Sequence, residues 1–217
     1  MIPAYHAGPG GRTAKTRNDM PCAGIVLGAG SSLRMGQPKQ LLSLRGRPLL
    51  ERVVAVACGS QLDDVVVILG ADHELIDQRV RWGRARILVN PDHASGMSTS
   101  LRAGLAALGS EVERAMVIMG DQLGVSSGLI DRLLEVHQVS LRPAAALSVG
   151  GLLQPPVVLR RDLWGEVMAL HGDVGARSLI RARPELVAPL VLGSDAEHPI
   201  DIDTPDDWRR YRSSIPS

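Results

Sequence analysis

Strand-like and helix-like segments alternate along residues 23–125, and this alternation limits the fold more than any other feature of the chain. The apolar, β-branched runs that predict buried strands are 23–28, 63–70, 85–90 and 114–121. The segments between them with helical spacing are 48–60, 72–82 and 100–110, the last with Ser98 or Thr99 as its predicted N-cap. This alternation is typical of a parallel sheet with helices on both faces. We therefore predict an α/β protein with a three-layer α/β/α fold and a mostly parallel sheet.

The rest of the chain extends this architecture and adds a polar N-terminal segment. The further predicted elements are a helix near 126–139, strands at 142–149 and 155–160, and helices at 162–170, 175–181 and 203–212. Residues 1–20 carry three basic side chains against one acidic one and have no apolar central region, so they are not a secretory signal. We predict a disordered N-terminal extension over residues 1–20 and a single domain over residues 21–217.

Composition and charge exclude several classes of function. The formal net charge is +1 and aromatic residues make up 2% of the chain, which argues against nucleic-acid binding by a basic, base-stacking surface. Two cysteines are too few for a disulfide framework or a zinc site. No apolar run approaches membrane-spanning length. We therefore expect a cytoplasmic protein with neither nucleic acid nor a membrane as its partner.

A glycine-rich loop at residues 28–39 follows the first predicted strand. The dinucleotide-binding fingerprint is excluded because Leu33 stands where its third glycine belongs. The Walker phosphate loop is excluded because five residues, rather than four, separate Gly30 from Gly36. Small residues in such a loop still let backbone N–H groups approach an anion. The alternative is a solvated surface loop that binds nothing.

Two cations lie in the second half of this loop. Arg34 offers a planar fork to phosphate oxygens, and Lys39 offers a compact point charge. Lys15 and Lys39 are the two lysines of the chain, so Lys39 is the one lysine in the predicted domain. Since every other basic residue of the predicted domain other than histidine is an arginine, a lysine at position 39 indicates that an arginine could not replace it there. We predict that Arg34 and Lys39 bind phosphate.

The stretch from Leu27 to Leu42 resembles a motif of the MobA-like nucleotidyltransferase family, Leu-Ala-Ala-Gly-x-Ser-x-Arg-Met-Gly-x-x-Lys-x-Leu-Leu, with Gly28 in place of the first alanine. Further blocks that resemble the family, in family order, are "NPDHASGMSTSLRAGL" (90–105), "MGDQ" (119–122), "HGDVGARSLI" (171–180) and "DIDTPDDW" (201–208). More narrowly, the chain resembles the molybdenum cofactor cytidylyltransferases of this family, and the resemblance covers nearly the whole predicted domain.

The resemblance implies a nucleotide-diphospho-sugar transferase-like, Rossmann-like fold and a nucleotidyltransferase domain over residues 21–217. It implies a Mg²⁺-dependent enzyme that transfers CMP from CTP to the phosphate of molybdopterin or molybdenum cofactor and releases pyrophosphate. The catalytic residues that it implies are Lys39, Arg34 and Asp121. The residues that it assigns to nucleotide binding are Leu27, Gly28, Ala29, Gly30, Ser31, Ser32, Arg34, Lys39, Gly96, Ser98 and Ser100.

Three aspartates are candidate ligands for the metal ion. Asp121 ends a predicted buried strand at the sheet edge where ligands bind, and it lies too far ahead of the next helix to cap it. Asp201 and Asp203 alternate along a strand and therefore share a face. The alternative is that Asp203 or Thr204 caps the helix that follows. The resemblance favours Asp203 as the second ligand and supports Asp201 less.

The acceptor side is assigned by resemblance alone, to Gln122, Pro156, Asp173 and Arg177. The alternative for Asp173 and Arg177 is a surface ion pair at i,i+4 spacing. The chain departs from the family where Gln154-Pro155-Pro156 replaces Gly-His-Pro. This departure puts the identity of the acceptor in doubt more than the nucleotidyl-transfer reaction. Guanylyltransferase relatives tend to have glycine at the position of Ala29, so the methyl group there favours cytosine over a purine.

The partners that the resemblance implies are CTP or another nucleoside triphosphate, a pterin-type phosphate acceptor, and a molybdoenzyme or maturation chaperone that receives the product. We expect a monomer or a weak dimer. One alternative is a transferase that uses GTP or another triphosphate and a different small phosphate acceptor. A second is a nicotine-blue-reductase-like NAD(P)H oxidoreductase, which the broken dinucleotide fingerprint disfavours. A third is a non-catalytic cofactor carrier, which would not need Lys39 and Asp121.

Overall fold

The computed structural model describes residues 20–30, 37–193, 199–202 and 204–214. Residues 1–19 of the predicted extension, loop residues 31–36 and Asp203 lie outside these ranges. The described strands are β1 (Cys22–Leu27), β2 (Ser43–Leu44), β3 (Arg47–Pro48), β4 (Asp64–Leu69), β5 (Arg86–Val89), β6 (Arg114–Met119), β7 (Gln122–Leu123), β8 (Ala144–Val149), β9 (Leu152–Arg160), β10 (Val187–Val191) and β11 (Ile200–Asp201). The described α-helices are α1 (Leu49–Cys58), α2 (His73–Asp77), α3 (Met97–Ala106), α4 (Ser127–Val139), α5 (Trp164–Met168), α6 (Ala176–Ala182) and α7 (Pro205–Ser214). Within the described ranges, no helix combines the length and apolarity needed to cross a membrane.

Seven of these strands form one sheet in the order β10–β8–β9–β6–β1–β4–β5. The pairs β1–β4, β1–β6, β4–β5 and β8–β10 are parallel, and β9 runs antiparallel to both of its neighbours. Buried side chains of α1 and α4 pack on one face of the sheet, and those of α3, α5 and α6 pack on the other. The predicted three-layer fold with a mostly parallel sheet is confirmed.

The order of the parallel strands creates a crevice between β1 and β6. The chain proceeds from β1 outward through β4 and β5 and then returns to place β6 on the opposite side of β1. Ligands bind at such reversals, beyond the carboxyl ends of the strands. Leu27 pairs with Met119 at those ends, so the segments that begin at Gly28 and Gly120 leave the sheet side by side.

A smaller hydrophobic cluster holds the C-terminal segment beside this edge. Its buried members are Leu42, Leu44, Leu49, Leu123, Ile202 and Trp208. The antiparallel pairing of β7 with β11 joins Gln122 to Asp201. Thr204 caps α7, since its hydroxyl accepts from the Asp207 N–H at 3.1 Å and the Asp207 carboxylate accepts from the Thr204 N–H at 2.9 Å. Thr204, one of the two residues predicted as the cap, is therefore the N-cap of this helix.

Two predicted helices differ from the structure, and one strand of the main sheet was not predicted. Helix α3 begins at Met97 with Gly96 at its N-cap, so the predicted capping by Ser98 or Thr99 is wrong, and both residues lie in its first turn. Helix α2 ends at Asp77 because the chain then turns to bury Val80 in the main core. The pattern also missed β10, whose proline is tolerated because the strand lies at an edge of the sheet.

His137 of α4 is a buried histidine outside the crevice, with 2% of its surface exposed. Burial and, to a smaller extent, the nearby Arg114 guanidinium lower the pKa of His137 to about 4. In the unfolded chain the pKa of histidine is about 6.5. Between these two values the unfolded state therefore binds a proton that the folded state does not, and stability falls as the pH is lowered through this window.

We predict that the free energy of unfolding falls by about 2 kcal/mol between pH 7 and pH 5 through His137 alone. Urea unfolding at the two pH values measures this, and His137→Gln is expected to remove that part of the pH dependence. His171→Gln, at an exposed histidine, serves as the control and keeps the wild-type slope. Equal slopes for wild type and His137→Gln would show that the buried imidazole does not govern this pH dependence.

Candidate functional site

A cavity of about 580 Å³ lies at the carboxyl edge of the sheet, where the crevice was expected. The described segments that line it include the turn after β1, the loop before α3, the end of β6 and the loop that leads into α6. Residues of the turn Lys39–Leu41, of β9 and of β11 also line it. The predicted site residues in this wall are Leu27, Gly28, Ala29, Gly30, Lys39, Gly96, Ser100, Asp121, Asp173, Arg177 and Asp201. Among the predicted nucleotide-binding residues, Ser31, Ser32 and Arg34 lie outside the described part of the chain.

An ion pair between Lys39 and Asp121 lies in the wall of the cavity. The side chains are 17% and 13% exposed, so each charge is largely removed from water and compensated by the other. Asp121 follows β6 directly after Gly120, and Lys39 begins the short 3-10 turn Lys39–Leu41. The pair joins the two segments that leave the crevice and places one cation and one carboxylate together.

Gln40, the neighbour of Lys39, holds the glycine turn from behind. Its side chain is 3% exposed, and its amide Nε2 donates to the carbonyl oxygens of Gly28 at 2.9 Å and of Gly30 at 2.8 Å. The Gly28 N–H in turn donates to the carbonyl oxygen of Ile68 at 2.8 Å. The backbone of the turn is therefore bonded on both sides of Ala29.

The loop before α3 is fixed by a buried asparagine. The Asn90 amide donates to the Thr99 hydroxyl at 2.8 Å and to the Ser100 hydroxyl at 3.0 Å, and its oxygen accepts from the Asp92 N–H. Ser100 lies in the cavity wall, whereas Ser98 is fully buried, and no hydrogen bond to its hydroxyl is found among the described residues. The loop thus offers Gly96 and Ser100 to a ligand.

Gly96 joins this loop to the segment that leads into α6. Its φ angle is +109°, and a Cβ atom there would lie 2.2 Å from the carbonyl carbon of Gly172. The Ser98 N–H donates to the Gly172 carbonyl oxygen at 3.1 Å. The close backbone contact brings Asp173 and Arg177 to the same cavity as the glycine turn.

The acceptor-side candidates are arranged around Asp201. One carboxylate oxygen accepts from Gln122 at 3.1 Å and the other accepts from Arg177 at 3.2 Å. The alternative of an ion pair between Asp173 and Arg177 is therefore wrong, because the described ion pair of Arg177 is with Asp201. Gln122 is buried behind Asp201, and its amide oxygen has no described hydrogen-bond partner. Pro155, rather than the predicted Pro156, lines the cavity.

Sequence reasoning missed Gln40 and Asn90. Gln40 lies between Lys39 and Leu41, and Asn90 follows the strand-forming run 85–89, so neither stands in a local pattern that predicts its burial. A buried polar side chain must find hydrogen-bond partners, and both residues do. The identity of those partners, however, depends on segments far away in the sequence.

Two carboxylates in the cavity wall could contribute ligands to a divalent cation. Mg²⁺ takes oxygen ligands, commonly one or two carboxylates together with substrate phosphates. Asp121 and Asp201 present two carboxylates to one cavity. Among the residues that the structure describes, no group of three or more His, Cys, Asp or Glu side chains is placed to hold a metal ion.

We predict that Gly96→Ala lowers the free energy of unfolding by about 3 kcal/mol, because its Cβ would overlap the Gly172 backbone and the φ angle is unfavourable. Urea unfolding measures the change. Gly165→Ala is the matched control, since a Cβ at that exposed helical position meets nothing within 4 Å. If the two variants were equally stable, the contact between Gly96 and Gly172 would not constrain the loop.

Comparisons with known proteins agree with the fold. Residues 24–187 match the MobA-like NTP transferase domain. The nicotine blue oxidoreductase of Paenarthrobacter nicotinovorans is 35% identical over 206 residues, which are 88% of this chain and 97% of that protein. The 2-C-methyl-D-erythritol 4-phosphate cytidylyltransferase of Chromobacterium violaceum is 33% identical over 155 residues, which are 67% of this chain and 64% of that protein.

Among solved structures, Rv0371c of Mycobacterium tuberculosis in complex with manganese superposes with a TM-score of 0.78 and 27% identity, covering 90% of this chain and all of the other. The matched domain includes the glycine turn, the end of β6 and the loop before α3, which together form most of the cavity wall. The fold is therefore of the nucleotide-diphospho-sugar transferase-like type, and the chain belongs to the MobA-like NTP transferase domain family of nucleotidyltransferases.

Proposed function

We propose that the protein transfers CMP from CTP to the phosphate of molybdopterin or molybdenum cofactor, with Mg²⁺, and releases pyrophosphate. The observation that carries the proposal is the ion pair of Lys39 with Asp121, which joins a glycine turn to a strand-end carboxylate in one cavity. Nucleotidyl transfer needs a cation for the phosphates and a carboxylate for the metal that accompanies them. Both groups are present at the edge of the sheet where ligands bind.

The reaction requires little chemistry from the protein beyond charge and alignment. An oxygen of the acceptor phosphate forms a bond to the α-phosphorus of CTP, and the bond from that phosphorus to the bridging oxygen breaks as pyrophosphate leaves. The attacking phosphate is already ionised, so no histidine base is needed. Lys39 and Arg34 neutralise the triphosphate in this proposal, and the glycine turn brings backbone N–H groups close to it.

Asp121 is the proposed main metal ligand, with Asp203 or Asp201 as the second. Mg²⁺ would supply charge neutralisation at the α-phosphate and the leaving pyrophosphate. The manganese complex of a family structure with a closely similar fold supports a divalent ion. Asp201 lines the cavity and accepts hydrogen bonds from Gln122 and Arg177, and the family resemblance favours Asp203 over Asp201 as the second ligand.

Ala29 is the proposed base-selecting residue. It is 8% exposed and lies in the cavity wall between the two carbonyl groups that Gln40 binds. Its methyl group narrows the space beside the base, which favours a pyrimidine. The similarity to a cytidylyltransferase supports CTP as the nucleotide. Ser100 and Gly96 lie where they could contact the same nucleotide, and buried Ser98 would act by supporting this loop.

The acceptor is proposed to bind at the side of the cavity lined by Met97 of α3, Met119 of β6, Pro155 of β9 and Arg177 of α6. The three apolar side chains suit a flat heterocycle, while Arg177 suits a phosphate. Asp173 lines the same side, and Gln122 contributes through its bond to Asp201. A pterin phosphate combines these two chemical features.

A second candidate function is favoured by one observation. The relative named nicotine blue oxidoreductase is 35% identical over 97% of its own length. An NAD(P)H-dependent reduction would need a dinucleotide site, and the glycine turn of this chain lacks the third glycine of that fingerprint at Leu33. We therefore rank this activity second and test it beside the transfer.

We predict that pyrophosphate release with Mg²⁺ requires CTP and molybdopterin cofactor together and is slower with GTP, ATP or UTP. A coupled pyrophosphate assay with each triphosphate, with and without the acceptor, measures this. In parallel, NADH or NADPH oxidation is followed with nicotine blue. Oxidation of the cofactor without pyrophosphate release would replace the transferase proposal by the oxidoreductase, and activity with GTP alone would overturn the role of Ala29.

We predict that Asp121→Asn and Lys39→Met each lower kcat/KM by about a hundredfold or more, because each removes a charge that stabilises the transition state. Circular dichroism checks that both variants fold. Asp162→Asn is the control, since it removes an exposed carboxylate that pairs with Arg160 away from the cavity. Unchanged turnover in Asp121→Asn would contradict metal catalysis at this carboxylate and favour the carrier alternative.

A further inference from the structure

Gln40 holds the glycine turn through its side-chain amide. One amide nitrogen donates to two carbonyl oxygens, those of Gly28 and Gly30, at 2.9 and 2.8 Å. The side chain is 3% exposed, so these bonds are shielded from water. Buried hydrogen bonds of this kind are costly to leave unmade, since the abandoned carbonyl groups would have to lie unpaired.

The two carbonyl groups determine how the turn faces the cavity. A trans peptide is planar, with its N–H directed opposite to its carbonyl oxygen. When Gln40 draws the Gly28 carbonyl toward itself, the N–H of Ala29 is therefore directed the other way. The Gly28 N–H is already bonded to Ile68 at the end of β4. Gln40 thus orients the peptide group between Gly28 and Ala29, and its second bond holds the carbonyl group of Gly30.

Because Gln40 directly follows Lys39, the orientation of the glycine turn is coupled to the ion pair of Lys39 with Asp121. Lys39 and Gln40 are successive residues of one 3-10 turn, Lys39–Leu41. Lys39 reaches Asp121 at the end of β6, while Gln40 reaches the turn at the end of β1. One short segment therefore sets the distance between the proposed phosphate-binding cation and the proposed nucleotide-binding turn.

Glutamine suits the contact with the Gly28 and Gly30 carbonyl oxygens better than glutamate or methionine does. Two donors on one nitrogen are needed, and the amide provides both. A glutamate of the same shape would place a carboxylate oxygen against two carbonyl oxygens, which is repulsive. A methionine of similar length would fill the space but leave both carbonyl groups without a donor.

We propose that Gln40 is a positioning residue that holds the glycine turn in the conformation that binds the nucleoside triphosphate. The inference rests on the proposed function in one respect, namely that a nucleoside triphosphate binds in this cavity. Gln40 acts through the backbone of Gly28 to Gly30 and takes no part in the transfer of the nucleotidyl group.

The test compares Gln40→Met and Gln40→Glu with wild type. Gln78→Glu is the matched control, because it makes the same chemical change at an exposed position beyond α2. Isothermal titration with CTP, GTP, ATP and UTP in the presence of Mg²⁺ gives the dissociation constants. Thermal unfolding shows that each variant is folded at the temperature of the titration, and Gln40→Glu, which retains shape and polarity, keeps the test available if Gln40→Met does not fold.

We expect the dissociation constant of the preferred nucleotide to rise about tenfold in Gln40→Met and further in Gln40→Glu, and to stay at the wild-type value in Gln78→Glu. In steady-state kinetics the KM for the nucleotide is expected to rise while the KM for the acceptor stays within about twofold. A residue with a merely structural role would lower the melting temperature without this selective change.

Two negative results have different meanings. If wild type binds none of the four triphosphates, the proposed function fails and the inference fails with it. If wild type binds a nucleotide and the folded Gln40 variants bind it equally well, the proposed function stands and the positioning role is overturned. A lowered melting temperature with unchanged nucleotide affinity likewise overturns it.

Discussion

The parallel pairing of β1 with β6 is the constraint on which the rest of the site depends. Leu27 lies opposite Met119, and the Gly120 N–H continues the pairing by donating to the Leu27 carbonyl oxygen at 2.9 Å. A Cβ at Gly120 would lie 2.7 Å from that oxygen, so only a glycine lets the two chains separate there without displacement. Because the strands end together, the glycine turn and Asp121 face one cavity.

Polar contacts within a largely apolar frame then fix each segment of the cavity. Gln40 bonds the glycine turn, Asn90 bonds the loop before α3, and Gln122 bonds Asp201. All three amides are buried, and each donates a hydrogen bond to a backbone or side-chain group of the cavity wall. Interactions of this kind hold a binding site close to its working geometry before a ligand arrives.

The positions of Lys39 and Asp121 in the cavity could be predicted because both belong to segments with readable local patterns. A buried β-branched run that ends in an acid, and a glycine-rich loop that ends in a lysine, both indicate the carboxyl edge of a parallel sheet. The cap of α3 could not be predicted, because Asn90 draws the Thr99 and Ser100 hydroxyls into the loop and the helix begins earlier, at Met97. The ion-pair partner of Arg177 could not be predicted either, because it is the distant Asp201 rather than Asp173, four residues away in the sequence.

The sequence by itself determined the layers of the fold, the order of the main elements and the residues at the ends of β1 and β6. These follow from hydrophobic periodicity and glycine placement, which are local properties of the chain. Only the tertiary structure decided that Gln40 holds the glycine turn, that Gly96 packs on Gly172 and that Asp201 accepts from both Gln122 and Arg177. The contacts of Gly96 and Asp201 join residues distant in the chain. Gln40 and Gln122 are buried, and a buried amide must find the nearest complementary atom in space, whichever segment of the chain supplies it.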